Sequence, residues 1–82
     1  MNFLIFLSMN KRNDKGERHG YWELFYVNKN YCNGIKHGKY EYYYDKGKTR
    51  LNQMGQYNMG RRVGYWERIK ANLKIIEKEF YL

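Results

Sequence analysis

Apolar and polar residues alternate one by one along much of this chain. In the segment that follows Gly20, for example, Trp22, Leu24 and Tyr26 fall on one side. Successive side chains of a β-strand point to opposite faces, so a period of two predicts strands rather than helices. We predict strands over residues 2–9, 21–27, 39–45, 49–57, 63–70 and 73–81, with a very short additional strand at Tyr31-Cys32.

Turn-forming residues separate the predicted strands. Asp45-Lys46-Gly47-Lys48 places Asp and Gly in the order that favours a tight turn. Asn28-Lys29-Asn30 and Ala71-Asn72-Leu73 are weaker turn signals, because Asn tolerates a positive φ. Proline, which would interrupt strand pairing, is absent from the sequence. For residues 71–80 an amphipathic helix is the alternative to a strand.

A short motif, Gly-x-x-x-Gly-x-aromatic-Glu, occurs three times without gaps. Because each copy needs a return strand, the repeat favours a strand over a helix for the tail. Stacked copies would place the three aromatic residues in a ladder on one face of a sheet. We expect the glutamates to be structural and to pair with Lys or Arg on adjacent strands. The matching residues are Gly16, Gly20, Trp22 and Glu23; Gly34, Gly38, Tyr40 and Glu41; and Gly60, Gly64, Trp66 and Glu67.

The spacing of the copies predicts how the hairpins differ in length. The motif begins at Gly16, Gly34 and Gly60, so the starts lie 18 and then 26 residues apart. The difference is even and therefore keeps the downstream side chains on the same face. A second hairpin with four more residues in each strand would account for it. We expect a single domain over 1–82, with an N-terminal strand at 1–10 and repeats over 11–30, 31–56 and 57–82.

In the second and third copies a tyrosine precedes the first glycine by three residues, as in Tyr31-Cys32-Asn33-Gly34. With this tyrosine, the motif over residues 13–82 resembles the MORN repeat, in particular the variant with Trp or Tyr after the second glycine that bacterial antitoxin-like proteins carry. The resemblance implies an elongated antiparallel sheet of successive hairpins. It also implies a protein-interaction module, an antitoxin or immunity-like protein, or a membrane-associated scaffold.

Composition and charge narrow the class of partner. Aromatic residues make up 20% of the 82 residues, which argues against disorder. The net charge of +8 favours an acidic partner: a protein surface, a nucleic acid or an anionic membrane. The apolar segment 1–9 is either a strand or a targeting segment. Because it lacks a basic start and a cleavage site, we interpret it as a strand and expect a cytoplasmic protein.

No residue pattern in the sequence predicts catalysis, and we expect neither a cofactor nor a metal ion. Cys32 is the only cysteine and has no neighbouring ligands of a zinc site. His19 and His37 occupy equivalent positions before the second glycine of their copies. The third copy has Val63 there, so packing of the turn is the preferred interpretation and metal binding the alternative.

These observations predict a small non-enzymatic protein that blocks or scaffolds a protein partner, as an antitoxin, an immunity protein or a phage-type inhibitor of a host defence factor does. A basic aromatic sheet that binds nucleic acid is the alternative, and an anionic-membrane scaffold is a second one. Exposed sheet edges also allow self-pairing. The candidate partner-binding residues are Tyr42, Tyr43, Tyr44, Lys36, His37, Arg61, Arg62 and Arg68.

Overall fold

The computed structural model describes residues 10–70 and 75–82, which form one antiparallel β-sheet. The predicted all-β fold class is confirmed, with eight strands in these residues where the alternation predicts about six. The predicted strand 2–9 and the predicted turn at 71–73 lie outside the described residues. The strands are β1 (Lys11–Arg12), β2 (Arg18–Leu24), β3 (Val27–Cys32), β4 (Ile35–Lys36), β5 (Gly38–Tyr43), β6 (Leu51–Asn58), β7 (Arg61–Lys70) and β8 (Ile75–Tyr81).

The strands follow one another across the sheet almost in chain order. Their sequence is β1-β2-β3-β5-β6-β7-β8, and the short β4 pairs with β3. Neighbours in this order pair in antiparallel fashion, and β5 continues along β3 beyond β4. The described residues measure 43 × 34 × 15 Å. Stacked sheets lie about 10 Å apart, so a 15 Å molecule with side chains on both faces is a single layer.

The first hairpin turns earlier than predicted. β2 and β3 are joined by two residues, Phe25-Tyr26, and Tyr26 takes a φ of 65°. The predicted turn at Asn28-Lys29-Asn30 is wrong, because these residues lie inside β3. Their asparagine side chains form hydrogen bonds between strands instead. Asn30 Nδ2, for example, donates to the carbonyl of Lys39 at 3.0 Å. Tyr31-Cys32, predicted as a separate strand, forms the end of β3.

The second hairpin carries its additional residues in a loop over 44–50. The predicted tight turn is present, with the Lys48 amide donating to the Asp45 carbonyl at 3.1 Å. The Asp45 carboxylate accepts hydrogen bonds from the Thr49 hydroxyl at 2.7 Å and the Arg50 amide at 3.0 Å. The predicted lengthening of both strands is wrong: β5 has 6 residues and β2 has 7.

Each repeat motif uses its two glycines differently. In the third copy Gly60 follows Met59 in a two-residue turn between β6 and β7, and both have a positive φ, of 87° and 48°. Gly64 lies inside β7 with a φ of 69°. Around it the pairing with β6 shifts by two residues, from Gln56 opposite Val63 to Met54 opposite Glu67, an irregularity of the β-bulge type. The bulge re-aims the side chains that follow, including Trp66.

The tail is a strand, as predicted, wherever the structure describes it. β8 pairs with β7 along its whole length, from Lys70 opposite Ile75 to Gly64 opposite Tyr81. This register makes Tyr81 equivalent to Tyr31, opposite Gly20, and to Tyr57, opposite Gly38. The helix alternative is excluded for residues 75–81.

Three side chains form the buried core of the described residues: Trp22, Val27 and Trp66. Trp66 is 3% exposed although the sheet is a single layer. It lies directly over Gly55 of β6, where a Cβ atom would overlap the indole ring. The absence of a side chain at Gly55 therefore lets the indole approach the backbone of the neighbouring strand.

Gly55→Ala is expected to lower the free energy of unfolding by about 1–3 kcal/mol, as overpacking typically does, because the added methyl group displaces Trp66. Urea unfolding followed by tryptophan fluorescence measures this loss. Gln56→Ala is the matched control, since Gln56 is the exposed neighbour on the same strand. Equal stability of the Gly55→Ala variant and the parent would contradict this packing.

Met59→Asn is expected to raise the free energy of unfolding by about 0.5–1 kcal/mol, because Asn adopts a positive φ at lower cost than Met. The equivalent turn of the second copy already has Asn33 before Gly34, with φ values of 48° and 85°. Met59→Leu, which keeps the unfavourable backbone preference, serves as the control. Thermal unfolding of both variants measures the difference, and no gain with Asn would show that the turn is not strained.

Candidate partner-binding face

The sheet has two chemically distinct faces. We call the side that carries Trp22, Tyr40 and Trp66 the aromatic face, and the side that carries Glu23, Glu41 and Glu67 the glutamate face. Strand pairing assigns the remaining paired residues to one face or the other, because cross-strand partners in an antiparallel sheet share a face. The two faces thus keep the equivalent positions of the three repeats together.

The predicted aromatic ladder lies on the aromatic face. The ring centroids of Tyr40 and Trp66 are 5.5 Å apart, and Tyr57 packs edge-on against both, at 5.6 and 5.1 Å. Trp22 packs edge-on against Tyr31 at 6.3 Å. Such edge contacts are favourable for aromatic pairs, so the rings form the core of the sheet.

Beside this ladder runs a row in which basic residues and tyrosines alternate. Its order follows from the register, since Lys36 pairs with Tyr31 and Arg62 with Tyr57 across their hairpin turns. We call it the cation–tyrosine row, and its members in order across the sheet are Arg18, Tyr31, Lys36, Tyr57, Arg62 and Tyr81.

The arginines of the row lie over aromatic rings. The Arg18 guanidinium is 4.5 Å from the Trp22 centroid and donates a hydrogen bond to the Tyr31 hydroxyl at 3.1 Å. The Arg62 guanidinium is 4.3 Å from the Trp66 centroid. These cation–π contacts hold the charged groups in fixed positions, and the side-chain stems shield the indole rings from water.

The second copy repeats this arrangement with a lysine. Lys36 Nζ is 4.8 Å from the centroid of Tyr57, just as Arg62 is 5.8 Å from that of Tyr81. Arg62 Nη1 also donates to the Tyr81 hydroxyl at 3.5 Å. Each repeat therefore contributes one cation packed on the tyrosine of its return strand.

The protonation states of Arg62 in the row and of Tyr40 in the ladder are well defined. Partial burial lowers the pKa of Arg62, but its hydrogen bonds to Tyr81 and Tyr57 outweigh that effect and raise the pKa above its usual value. Burial, followed by the neighbouring Tyr57, raises the pKa of Tyr40 above 10.0. At neutral pH the guanidinium is thus charged and the Tyr40 hydroxyl protonated, so the face keeps its positive charge.

A third row crosses the aromatic face at the other end of the strands. Tyr42 pairs with Gln53, and Gln53 pairs with Arg68. Tyr42 is exposed, and the hydroxyl of Tyr44 donates to the carbonyl of Ile69 at 2.7 Å. This row adds polar and cationic groups to the same surface.

Charges are segregated between the two faces. On the aromatic face of β2 to β7, the described residues include six cations and no carboxylate. The carboxylates of this face stand on β8, where Glu77 pairs with Lys70 at 2.9 Å, and Glu79 accepts a hydrogen bond from Tyr81. The six cations are Arg18, Lys29, Lys36, Arg62, Arg68 and Lys70.

The repeat glutamates occupy the opposite face, but their partners differ from the prediction. Lys48, from the loop over 44–50, lies 3.4 Å from Glu23, and Lys39 of the same strand lies 3.6 Å from Glu41. The prediction of partners on adjacent strands is therefore wrong for these two glutamates. Lys48 also donates a hydrogen bond to Asn28 at 2.5 Å. The folded loop thus supplies the positive charge that the sheet itself lacks beside Glu23.

The predicted partner-binding residues do not form one cluster. Lys36 and Arg62 belong to the cation–tyrosine row, whereas Tyr42 and Arg68 lie in the third row of the same face. Tyr43 points to the glutamate face, where burial and the nearby Glu41 raise its pKa. Tyr44 lies in the loop, bonded to β7. The aromatic face thus unites four of the eight predicted residues.

The two remaining predicted residues lie at the turn edge. Arg61 is exposed and pairs with Asn58 beside the turn. His37 Nδ1 accepts a hydrogen bond from the Met59 amide at 3.1 Å. His19 accepts one from the Asn33 amide at the same distance. Each histidine thus caps the turn of the next repeat, a role in turn packing for both.

The sequence prediction omits four members of the row: Arg18, Tyr31, Tyr57 and Tyr81. A signal for them is present in the motif. A basic residue stands two positions before the second glycine in every copy, as Arg18, Lys36 and Arg62 do. Tyr31 and Tyr57 stand three residues before the first glycine of the following copy, but only the strand register shows that they lie beside the cations.

The described residues offer little to a small molecule or a metal ion. A cavity of about 50 Å³ lies between Arg62, Trp66 and Arg68, far below the roughly 300 Å³ of a ligand pocket. An open, polar gap of about 420 Å³ lies beside the first turn, lined by Asn13 and Glu17 among others. In the described part of the chain, no three His, Cys, Asp or Glu side chains are grouped to hold a metal ion.

No protein-family model matches the chain, and neither the curated proteins nor the solved structures contain a significant match. None of the described residues belongs to a helix long and apolar enough to cross a membrane. The function must therefore be inferred from the aromatic face itself.

Proposed function

We propose that the chain is a non-enzymatic protein-binding module whose aromatic face docks on an acidic protein surface and thereby blocks or scaffolds that partner. The observation that carries the proposal is the segregation of charge. Six cations and no carboxylate occupy the described aromatic face from β2 to β7, while the repeat glutamates occupy the other face. Complementary charge steers encounter with an acidic surface and disfavours basic ones.

The dimensions of the sheet support a macromolecular partner. A stable interface buries about 800 Å² on each partner. A face with edges of 43 and 34 Å offers more than that area without any rearrangement. The resemblance to MORN-variant repeats is in keeping with a blocking role of the antitoxin, immunity or phage-inhibitor type.

Nucleic acid is the second candidate, because the same cations could contact phosphates. Single-strand binding also depends on aromatic side chains on which bases stack. Trp22 and Trp66 are only 7% and 3% exposed, and their ring faces are covered by arginines. Tyr42 is the exposed tyrosine of this face and lies in the third row, whereas the more exposed Tyr65 and Phe80 pack together on the glutamate face. The geometry therefore favours a protein.

Self-pairing through the edge of β8 receives less support than a different partner. If two copies paired in antiparallel fashion about Lys78, Glu77 of one would face Glu79 of the other. Like charges placed directly opposite each other are destabilising, and charged residues protect edge strands from association.

Affinity purification with the tagged chain, followed by binding measurements on the recovered protein, tests this function. Arg62→Glu combined with Arg68→Glu is expected to weaken binding by about tenfold or more, since each reversed charge opposes the acidic partner. Lys15→Glu combined with Lys46→Glu is the matched control, because it changes the net charge equally at exposed loop positions. Thermal unfolding verifies that all variants are folded.

Three results would contradict the proposal. One is equal weakening by the control pair, which would mean that only net charge matters. Another is a recovered partner that nuclease treatment releases, which would favour nucleic acid. The third is the recovery of no specific protein at all.

A further inference from the structure

On the glutamate face, the last two strands carry a group of exposed apolar side chains. Tyr65 of β7 and Phe80 of β8 are cross-strand partners whose ring centroids lie 4.9 Å apart, yet they remain 68% and 58% exposed. Further along the same strands Ile69 pairs with Ile76, which is 54% exposed. Apolar side chains grouped in this way on a surface are typical of an interaction site.

A pair of opposite charges lies between the two apolar pairs. Glu67 of β7 is the cross-strand partner of Lys78 of β8. Among the described residues neither takes part in a close ion pair, whereas Glu23 and Glu41 each have a lysine partner. Both charges are therefore available to a molecule that approaches this face. We call the three pairs together the β7–β8 patch: Tyr65 and Phe80, Glu67 and Lys78, Ile69 and Ile76.

The β7–β8 patch is complementary to itself. Two sheets packed face to face keep their strand directions within about 30° of each other. A two-fold axis parallel to the strands, between β7 and β8, lays β7 of one copy over β8 of the other. Each apolar pair then faces an apolar pair, and Glu67 of each copy faces Lys78 of the other. An axis perpendicular to the strands would instead oppose Glu67 to Glu67, and like charges repel.

Charge also selects this face over the aromatic face for self-association. The strands β2 to β8, as far as the structure describes them, present three cations and three carboxylates on the glutamate face. Two aromatic faces would bring six cations against six, which repel each other, whereas two glutamate faces are electrically balanced. The cations of the glutamate face are Lys39, Arg61 and Lys78, and its carboxylates are Glu23, Glu41 and Glu67.

The area of the β7–β8 patch sets the expected strength of the contact. Tyr65 and Phe80 together expose roughly 250 Å². A stable interface buries about 800 Å² on each partner, so these two rings supply about a third of that area. The isoleucine and charged pairs add to it, as does Met54 of β6, which pairs with Glu67. We therefore expect an association in the micromolar range, at the weak end for interfaces of this size.

We propose that the glutamate face is a homodimer interface, in which the β7–β8 patch of one copy packs on the same patch of a second copy about a two-fold axis parallel to the strands. The two aromatic faces then point outward in opposite directions, so both stay open to an acidic partner. This inference does not rest on the proposed function, because it concerns the opposite face of the sheet.

Sedimentation of the full chain at concentrations from about 1 to 200 µM tests the dimer. A monomer–dimer equilibrium is expected. Phe80→Ser should weaken it by about tenfold or more, because each copy loses a large apolar contact. Phe25→Ser is the matched control, since Phe25 is 76% exposed but lies in the turn between β2 and β3, outside the patch. Thermal unfolding verifies that both variants are folded.

Exchange of the two charges tests the orientation of the copies. Glu67→Lys is expected to weaken the dimer by about tenfold, because it places a lysine opposite Lys78 of the second copy. Glu67→Lys combined with Lys78→Glu restores the opposite charges and should return the affinity to within about threefold of the parent. Asp14→Lys, with the same charge change at an exposed loop position, should leave the dimer unchanged.

Three results would overturn the proposal. The first is a chain that sediments as a monomer at every concentration. The second is a dimer that Phe80→Ser weakens no more than Phe25→Ser does. The third is a charge-exchanged variant that associates as weakly as Glu67→Lys alone, which would show that these two residues do not face each other in the dimer.

Discussion

The packing of basic side chains over aromatic rings is the interaction on which the rest of this structure depends. A single-layer sheet has no second layer to cover its large rings, yet Trp66 is 3% exposed. Arg62 supplies the cover from one side at 4.3 Å, and Gly55 allows the indole to lie on the backbone from the other. Because the cover is made of arginine and lysine, burying the core makes the face positively charged. The packing of the core and the positive charge on which the proposed recognition depends therefore arise from the same side chains.

The repeat carries this local packing across the sheet. Each copy turns at its first glycine and has a second glycine with a positive φ, and a cation, an aromatic residue and a return-strand tyrosine come together beside them. The histidines connect neighbouring copies, since His19 and His37 accept hydrogen bonds from the amides of the following turn. Val63 occupies this position in the third copy and cannot accept such a bond. The motif thus supplies three of the six cations whose placement motivates the proposed function: Arg18, Lys36 and Arg62.

Much of the sheet could be predicted from the sequence, because the alternation and the repeat both report on which side chains share a face. The ladder of Trp22, Tyr40 and Trp66 required only those two patterns. The turn at Phe25-Tyr26 could not be predicted, since a tyrosine at positive φ contradicts local preference and is imposed by the pairing of β2 with β3. The partners of the glutamates depend on how the loop over 44–50 folds back, which no local pattern encodes. The cation–tyrosine row was only partly predictable, because its tyrosines are brought beside the cations by the register.

The central claim is that the cations covering the core rings are also the groups that bind an acidic partner. Nuclear magnetic resonance measures this most directly, by following the side-chain signals of the isotope-labelled chain during titration with an acidic peptide. The claim predicts that the guanidinium signals of Arg18 and Arg62 and the indole N–H signals of Trp22 and Trp66 shift together. It also predicts that the ring signals of Tyr65 and Phe80, on the glutamate face, remain in place. Shifts confined to the glutamate face or to the loops, with the indole signals unchanged, would contradict it.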